Sequence, residues 1–274
     1  MSAITKFQLE IYANKMLIDY DSGNPGTIFK DKIKISLEDA WRVQSAVADL
    51  RSERGEEVAG YKIGCISKET QINMGFTKPA WGRLWKNELH ADGAVLKKDN
   101  YSNPAMEAEF GIILSRDLPP DRANFDYIEA SIETIYPVIE IHNYVFNGDP
   151  PFGAELLANN AIHAGVVIGR SNEGGLTDQD TDLNLLFDRK KIDSWTKKRW
   201  PNDILSEVVW LVNEQAKLGN MRLMKMGIPL AIFGLLGTFW LDRAGEFENP
   251  SIGYWTFALI CLYLLSGELD WGNH

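Results

Sequence analysis

Residues 104–114 read Pro-Ala-Met-Glu-Ala-Glu-Phe-Gly-Ile-Ile-Leu. Apolar side chains fill every second position from Met106 onward, which is the pattern of a strand with one face in a protein core. Glu107 and Glu109 then share the opposite face, where two carboxylates repel each other unless water, a proton or a cation relieves the charge. A hard divalent cation held through oxygen atoms does this well. The stretch therefore predicts a core strand with a candidate metal site on one side.

A third carboxylate, Glu140, interrupts an apolar run at residues 135–142, which read Ile-Tyr-Pro-Val-Ile-Glu-Ile-His. A buried glutamate needs a partner, because an isolated charge is costly to remove from water. We therefore predict that Glu107, Glu109 and Glu140 converge on one divalent cation. The alternative is that the first two line a solvated strand face and that Glu140 pairs with a lysine or arginine. The residues alone leave both interpretations open.

Three further side chains could belong to such a site. Lys62 lies inside the short apolar run Val58–Cys65, where a lysine either faces solvent or points as a cation into a pocket. His142 and His163 could act as acid, base or ligand. The chain has no His-x-x-x-His spacing, so buried structural histidines are the favoured interpretation.

The composition argues against several classes of protein. Hydrophobic residues make up 45% of the 274 residues, which is ample for a buried core. A net charge of −10 provides no basic surface for phosphate backbones, so nucleic-acid binding is not expected. The two cysteines, Cys65 and Cys261, are too few for a disulfide framework. Together with an N-terminus that lacks an export signal, this favours a cytoplasmic location.

The periodicity of the chain changes along its length. Helical spacing predicts two N-terminal helices, over 4–22 and 37–54. Short strand-like runs separated by Gly, Pro and Asn turns follow, at 58–63, 106–114, 135–142 and 164–168. A further helix is predicted over 203–218. We divide the chain into an N-terminal helical layer (1–57), a β-rich metal-binding core (58–219) and an atypical apolar tail (220–274).

The tail contains two uncharged apolar runs, Met226–Leu241 and Ser251–Gly267, joined by a polar loop. Each is slightly shorter than the roughly 20 residues that span a bilayer. Three interpretations compete: a buried core segment, an end read in an altered frame, and a membrane hairpin. Because each run is long for a strand, we expect helices that pack poorly against the rest of the chain.

Several stretches together resemble the 2-keto-4-pentenoate hydratase group of the fumarylacetoacetate hydrolase superfamily. The resemblance covers about residues 7–219, and its most specific element is the Glu-x-Glu pair with a distant third glutamate. The matching stretches are Gly60–Gly64, Trp81–Leu84, Met106–Phe110, Val138–Ile141, Leu157–Asn160 and Gly165–Gly169.

The resemblance implies a fold, a cofactor and roles for individual residues. The implied fold is α+β, with an N-terminal helical layer and a twisted β-roll or barrel. Glu107, Glu109 and Glu140 would hold Mg2+ or Mn2+. Lys62 would anchor the substrate carboxylate or assist proton transfer, and Asn160 would line the substrate pocket. A homo-oligomer is also expected.

The activity implied is addition of water to 2-hydroxypenta-2,4-dienoate or a similar 2-oxo acid, in the breakdown of aromatic compounds. The alternatives are decarboxylation of a 2-oxo acid, hydrolysis of a carbon–carbon bond, and a weak or inactive homologue that only binds ligand.

Two departures from the group bear on these alternatives. Ala80 stands where its hydratases commonly carry an aspartate, so a proton-transfer group is missing. The tail also lacks the glycine-rich strands that help to close the barrel in this group, and an altered reading frame is our preferred explanation for that difference.

Overall fold

The computed structural model describes residues 3–169, 181–187, 190–198, 202–217, 230–234 and 239–240. In this part of the chain, a layer of helices precedes a mixed β-sheet, and a long helix follows a small separate hairpin. The fold is therefore α+β, as the sequence predicts.

The helices of the described residues include the predicted N-terminal layer. The α-helices are α1 (Lys6–Asp21), α2 (Leu37–Glu53), α3 (Lys68–Met74), α4 (Phe125–Glu129), α5 (Gly153–Ala158) and α6 (Asn202–Lys217). Short 3-10 turns lie at Thr27–Asp31, Lys86–Glu88, Lys98–Asn100, Pro120–Arg122 and Asn160–Ile162. Helices α1 and α2 begin at the hydroxyl caps Thr5 and Ser36, which accept hydrogen bonds from otherwise unpaired N–H groups.

Most strands of the described residues join one mixed sheet. The strands are β1 (Val58–Gly64), β2 (Ala80–Trp85), β3 (Leu89–Ala91), β4 (Pro104–Leu114), β5 (Ile132–Asn143), β6 (His163–Ile168), β7 (Thr181–Phe187), β8 (Lys190–Lys198), β9 (Leu230–Gly234) and β10 (Phe239–Trp240). The order in the sheet is β2-β1-β9-β4-β5-β6-β3, and β10 pairs with β4. Strands β7 and β8 form a separate hairpin.

Residues 104–114 form β4, which pairs antiparallel with β5. This pairing places Glu107 directly opposite Glu140. Phe110 and Ile112, on alternate positions of β4, enter a core that includes side chains of α6. Because successive side chains of a strand point to opposite faces, Glu107 and Glu109 lie on the face turned away from α6. The alternation predicted from the sequence is confirmed.

Strand β9 corrects the expectation for part of the tail. Residues 230–234 lie between β1 and β4, parallel to β1 and antiparallel to β4. The prediction that Met226–Leu241 forms a helix outside the sheet is therefore wrong for residues 230–234. A central strand has a neighbour on each edge and can be covered on both faces, so its sequence can be a short continuous apolar run. Periodicity alone does not distinguish such a run from a buried helix.

The remainder of the expectation for the tail, including the run Ser251–Gly267, lies outside the described residues. Among the helices that the structure does describe, none has both the length and the apolar character needed to cross a bilayer.

Candidate metal centre

Strand register brings the predicted site residues onto one face of the sheet. Glu107 and Glu140 are cross-strand partners, and directly opposed residues of an antiparallel pair point to the same side. Lys62 of β1 pairs with Ile232 of β9, which in turn pairs with Gly111 of β4. Gly111 has the same parity as Glu107, so the register assigns Lys62 to the carboxylate face of the sheet.

Lys62 is a buried cation, only 3% exposed. Its Nζ lies 3.0 Å from each oxygen of Glu140, and it donates to the carbonyl of Ala161 at 3.0 Å. The Nε2 atom of His142 lies 2.9 Å from the same ammonium. The interpretation of Lys62 as a solvated strand lysine is therefore wrong, and its side chain points into the site.

The charges of the carboxylates keep Lys62 protonated. Burial acts to lower the pKa of Lys62, but the negative charges of Glu140, Glu109 and Glu107 outweigh it and raise the pKa above its ordinary value. An ammonium held in this way can neutralise part of the carboxylate charge and still present a cation to an anionic substrate.

Glu140 is fully buried and has several positive or hydrogen-bonding partners. In addition to Lys62, its Oε1 lies 2.5 Å from His163 Nδ1, and its Oε2 lies 3.0 Å from His142 Nε2. Burial acts to raise the pKa of Glu140, but Lys62 and then His142 and His163 hold the pKa well below its ordinary value. Glu140 is therefore a carboxylate, and its pairing with Lys62 is the one that the alternative interpretation without a metal predicted for this residue.

Glu109 has the opposite electrostatic environment. It is 2% exposed, and its Oε2 has no hydrogen-bond partner within the described part of the protein. Burial raises the pKa of Glu109 well above its ordinary value, and the neighbouring charges of Glu140 and Glu107 raise it further. A buried carboxyl without a partner for one oxygen is costly, and a bound cation would relieve both the charge and the unpaired oxygen.

Ligand atoms with the spacing of a metal site are present. Glu107, Glu140 and His142 each offer one ligand atom, and these atoms lie within 4.8 Å of one another. This group contains His142 and two of the three glutamates predicted from the sequence, Glu107 and Glu140, whereas Glu109 lies outside it. With the unpaired Oε2 of Glu109, the donor set fits a divalent cation. The signal for His142 is its position two residues after Glu140, which places both side chains on one face of β5.

Asn160 belongs to an unusual turn beside the site. Asn160, Ala161 and Ile162 all adopt left-handed conformations, with φ of 56°, 51° and 56°. The Oδ1 of Asn160 accepts from the backbone N–H of Arg83 at 2.7 Å, and its Nδ2 donates to the carbonyl of Arg83 at 2.8 Å. These bonds fix the turn that presents the Ala161 carbonyl to Lys62. Since they occupy both polar groups of the amide, the role of Asn160 in substrate binding stays a prediction.

Gly82 makes the close approach of this turn to β2 possible. A Cβ at Gly82 would lie 2.5 Å from the carbonyl oxygen of Asn160, closer than atoms can pack without a backbone shift. Ala80, two residues earlier on β2, is fully buried and packs in the core beneath α2 with Met74 and Phe76. The position where hydratases of the group commonly carry an aspartate is thus occupied here by an apolar side chain.

A second buried network lies behind Glu140. The Nε2 of His163 lies 3.6 Å from Glu88 Oε2, and Glu88 Oε1 accepts hydrogen bonds from Arg51, at 2.6 Å, and from the hydroxyl of Tyr20. His163 is therefore placed between two carboxylates, and it connects the site to the helical layer.

Comparisons with known proteins agree with the resemblance found in the sequence. No family model matches the chain. A 2-keto-4-pentenoate hydratase of Burkholderia vietnamiensis is 28% identical over 185 residues, which cover 66% of this chain and 70% of that protein. A 2-keto-4-pentenoate hydratase of Paraburkholderia xenovorans is 24% identical over 250 residues, which cover 89% of this chain and 90% of the relative. The second match is longer than residues 1–219 could supply, so it extends into the tail.

A solved structure supports the fold. The 4-oxalocrotonate decarboxylase from Pseudomonas putida G7, complexed with magnesium and adipate, superposes with a TM-score of 0.74 at 20% identity, covering 88% of this chain and 92% of that one. The predicted resemblance to 2-keto-4-pentenoate hydratases and the predicted α+β fold are both confirmed.

Proposed function

We propose that this chain, which resembles the 2-keto-4-pentenoate hydratases, is a divalent-metal-dependent lyase that adds water to 2-hydroxypenta-2,4-dienoate or a similar 2-oxo acid. The observation that carries this proposal is the convergence of one buried ammonium, Lys62, with the carboxylates of Glu107, Glu109 and Glu140 on one face of the sheet. Such a site suits a small anionic substrate that also binds a metal ion.

The three glutamates would hold the metal, with Mg2+ or Mn2+ as the expected ion. When bound, this ion would act as a Lewis acid toward the carbonyl and carboxylate oxygens of a 2-oxo acid. The protein contributes the fixed positions of its ligands. Glu107 and Glu109 are set by the alternation of β4, and Glu140 is held in place by its contacts with Lys62 and two histidines.

Lys62 would bind the substrate carboxylate. Its ammonium is held by Glu140 and by the Ala161 carbonyl, so little side-chain freedom remains to be lost when substrate binds. Its raised pKa keeps it protonated at neutral pH. An ammonium at this position can hold one end of the substrate and stabilise negative charge that develops during proton movement along the conjugated chain.

Decarboxylation of a 2-oxo acid is the second candidate function. Ala80 favours it, because this buried methyl group provides no carboxylate for proton transfer where the hydratases commonly have one. Loss of carbon dioxide requires stabilisation of the electron pair left behind, but no activation of water. The decarboxylase name of the superposed structure is consistent with this alternative.

Turnover by the purified protein tests the proposal. The chain is treated with a chelator and then incubated with 2-hydroxypenta-2,4-dienoate, or with 4-oxalocrotonate, in the presence or absence of Mg2+ or Mn2+. We expect metal-dependent loss of the dienoate absorbance without release of carbon dioxide, and the Glu107→Gln variant should lose this activity. Metal-dependent release of carbon dioxide from 4-oxalocrotonate alone would establish the second candidate. Turnover of neither acid would leave a homologue that only binds ligand.

A further inference from the structure

The ammonium of Lys62 has no hydrogen-bond donor to spare. An ammonium carries three N–H groups and no acceptor. Its Nζ donates to Glu140 Oε2 at 3.0 Å, to the carbonyl of Ala161 at 3.0 Å and to His142 Nε2 at 2.9 Å. A substrate carboxylate can therefore receive a hydrogen bond from Lys62 only if one of these three acceptors is released.

The carboxylate of Glu140 is enclosed in the same way. Lys62 Nζ lies 3.0 Å from both of its oxygens, and a cation held by both oxygens of a carboxylate is likewise shared between them. Oε1 also lies 2.5 Å from His163 Nδ1, and Oε2 lies 3.0 Å from His142 Nε2. Because the side chain is fully buried, a metal ion can reach Glu140 only if one of these neighbours withdraws.

Lys62 is the neighbour best able to withdraw. Its charge is repelled by a divalent cation at short range, and the ammonium is carried on a flexible stem of four carbons. His142 and His163 have shorter side chains, which are fixed on strands β5 and β6. The Ala161 carbonyl stays available to Lys62 after Glu140 is released, so the ammonium keeps a buried acceptor while it moves.

We propose that Lys62 and the metal ion exchange places at Glu140. In the metal-free protein the ammonium occupies the carboxylate. When the ion binds, Lys62 releases Glu140, keeps the Ala161 carbonyl and directs the freed N–H at the substrate carboxylate. This proposal rests on the proposed function, which assigns Glu140 to the metal and Lys62 to the substrate. Lys62 is an ammonium in both arrangements, so no proton is gained or lost, and the metal ion binds before the substrate.

Calorimetric titration of the full chain with Mg2+ tests the exchange. Lys62→Met removes the competing cation but keeps a long apolar side chain, so this variant should bind Mg2+ at least about tenfold more tightly than the wild type does. The matched control is Lys86→Met, which removes an exposed lysine paired with Glu57 and should leave the affinity unchanged. Unchanged or weaker binding of Mg2+ to the folded Lys62→Met variant would overturn the exchange.

Crystal structures of the wild-type chain, grown with a chelator or with Mg2+, give a second readout. They need no substitution, so they decide the question even if Lys62→Met does not fold. With chelator, Lys62 Nζ should contact both oxygens of Glu140; with Mg2+, it should contact the Ala161 carbonyl and neither oxygen. Mg2+ bound to Glu140 while Lys62 still contacts this carboxylate, or no such contact with chelator, would overturn the exchange and leave the proposed function standing. Crystals grown with Mg2+ in which Glu140 binds no ion would overturn both proposals.

Discussion

Replacement of Lys62 by methionine tests whether Glu140 is a buried anion stabilised by this lysine. Lys62→Met keeps a long apolar side chain but removes the ammonium that lies 3.0 Å from both oxygens of Glu140. Glu140 is fully buried, and breaking a buried pair by removing one partner typically costs about 3–5 kcal/mol. We expect the low end of this range, about 3 kcal/mol, because His142 and His163 still contact the carboxylate.

The assay for this variant is urea unfolding in the presence of chelator at neutral pH, followed by circular dichroism. The double variant Lys62→Met with Glu140→Gln should recover part of the lost stability, because it leaves no uncompensated charge. Lys86→Met is the matched control: Lys86 pairs with Glu57 at 2.8 Å, but both side chains are 68% exposed. Such surface pairs contribute about 0–1 kcal/mol. A loss for Lys62→Met as small as that of the control would refute the electrostatic account of the site.

Three further variants test Glu109, the turn at Asn160 and strand β9. Glu109→Gln should stabilise the metal-free protein against urea at neutral pH by roughly 1–3 kcal/mol, because burial and the charges of Glu140 and Glu107 oppose ionisation of this carboxyl, whereas the amide stays neutral; a loss of stability would contradict this. Burial raises the pKa of Glu109, and the charges of Glu140 and Glu107 raise it further. The folded protein therefore holds this proton to a higher pH than the unfolded chain does, and the wild type should lose stability as pH rises from about 4.3 through the folded pKa. Glu109→Gln should not show this loss. Asn160→Ala removes two hydrogen bonds to Arg83 and should lower the free energy of unfolding by roughly 1–3 kcal/mol, with kcat reduced more than KM is raised; unchanged stability would argue against the turn. Truncation after Gly219 removes β9 and exposes edges of β1 and β4, so the product should be insoluble or unfolded; a folded, soluble product would show that β9 is dispensable.

The strands and their faces could be predicted because their patterns are local. Alternation over residues 104–114 identifies β4 and places Glu107 and Glu109 on one face, and the single charge within residues 135–142 marks Glu140. The position of Lys62 depends on sheet order, which these patterns do not contain. Its strand is separated from β4 by β9, a segment more than a hundred residues later in the sequence.

Two features of the site lack a clear sequence signal for different physical reasons. The left-handed turn at 160–162 contains no glycine, and non-glycine residues adopt positive φ too rarely for composition to reveal it. His142 could be placed on the face of Glu140 by parity, but a lone histidine in an apolar strand is more often structural than a ligand. Its unpaired nitrogen is visible only in the three-dimensional arrangement. The homo-oligomeric state and the cytoplasmic location stay predictions.

The proposed function requires that Glu107, Glu109 and Glu140 bind one divalent cation beside Lys62. Anomalous diffraction from crystals of the full chain grown with Mn2+ tests it most directly. We expect a single strong peak on the carboxylate face of β4 and β5, with oxygens of all three glutamates about 2.0–2.6 Å away. No peak at this position, or a peak from which any one of the three carboxylates is turned away, would contradict it.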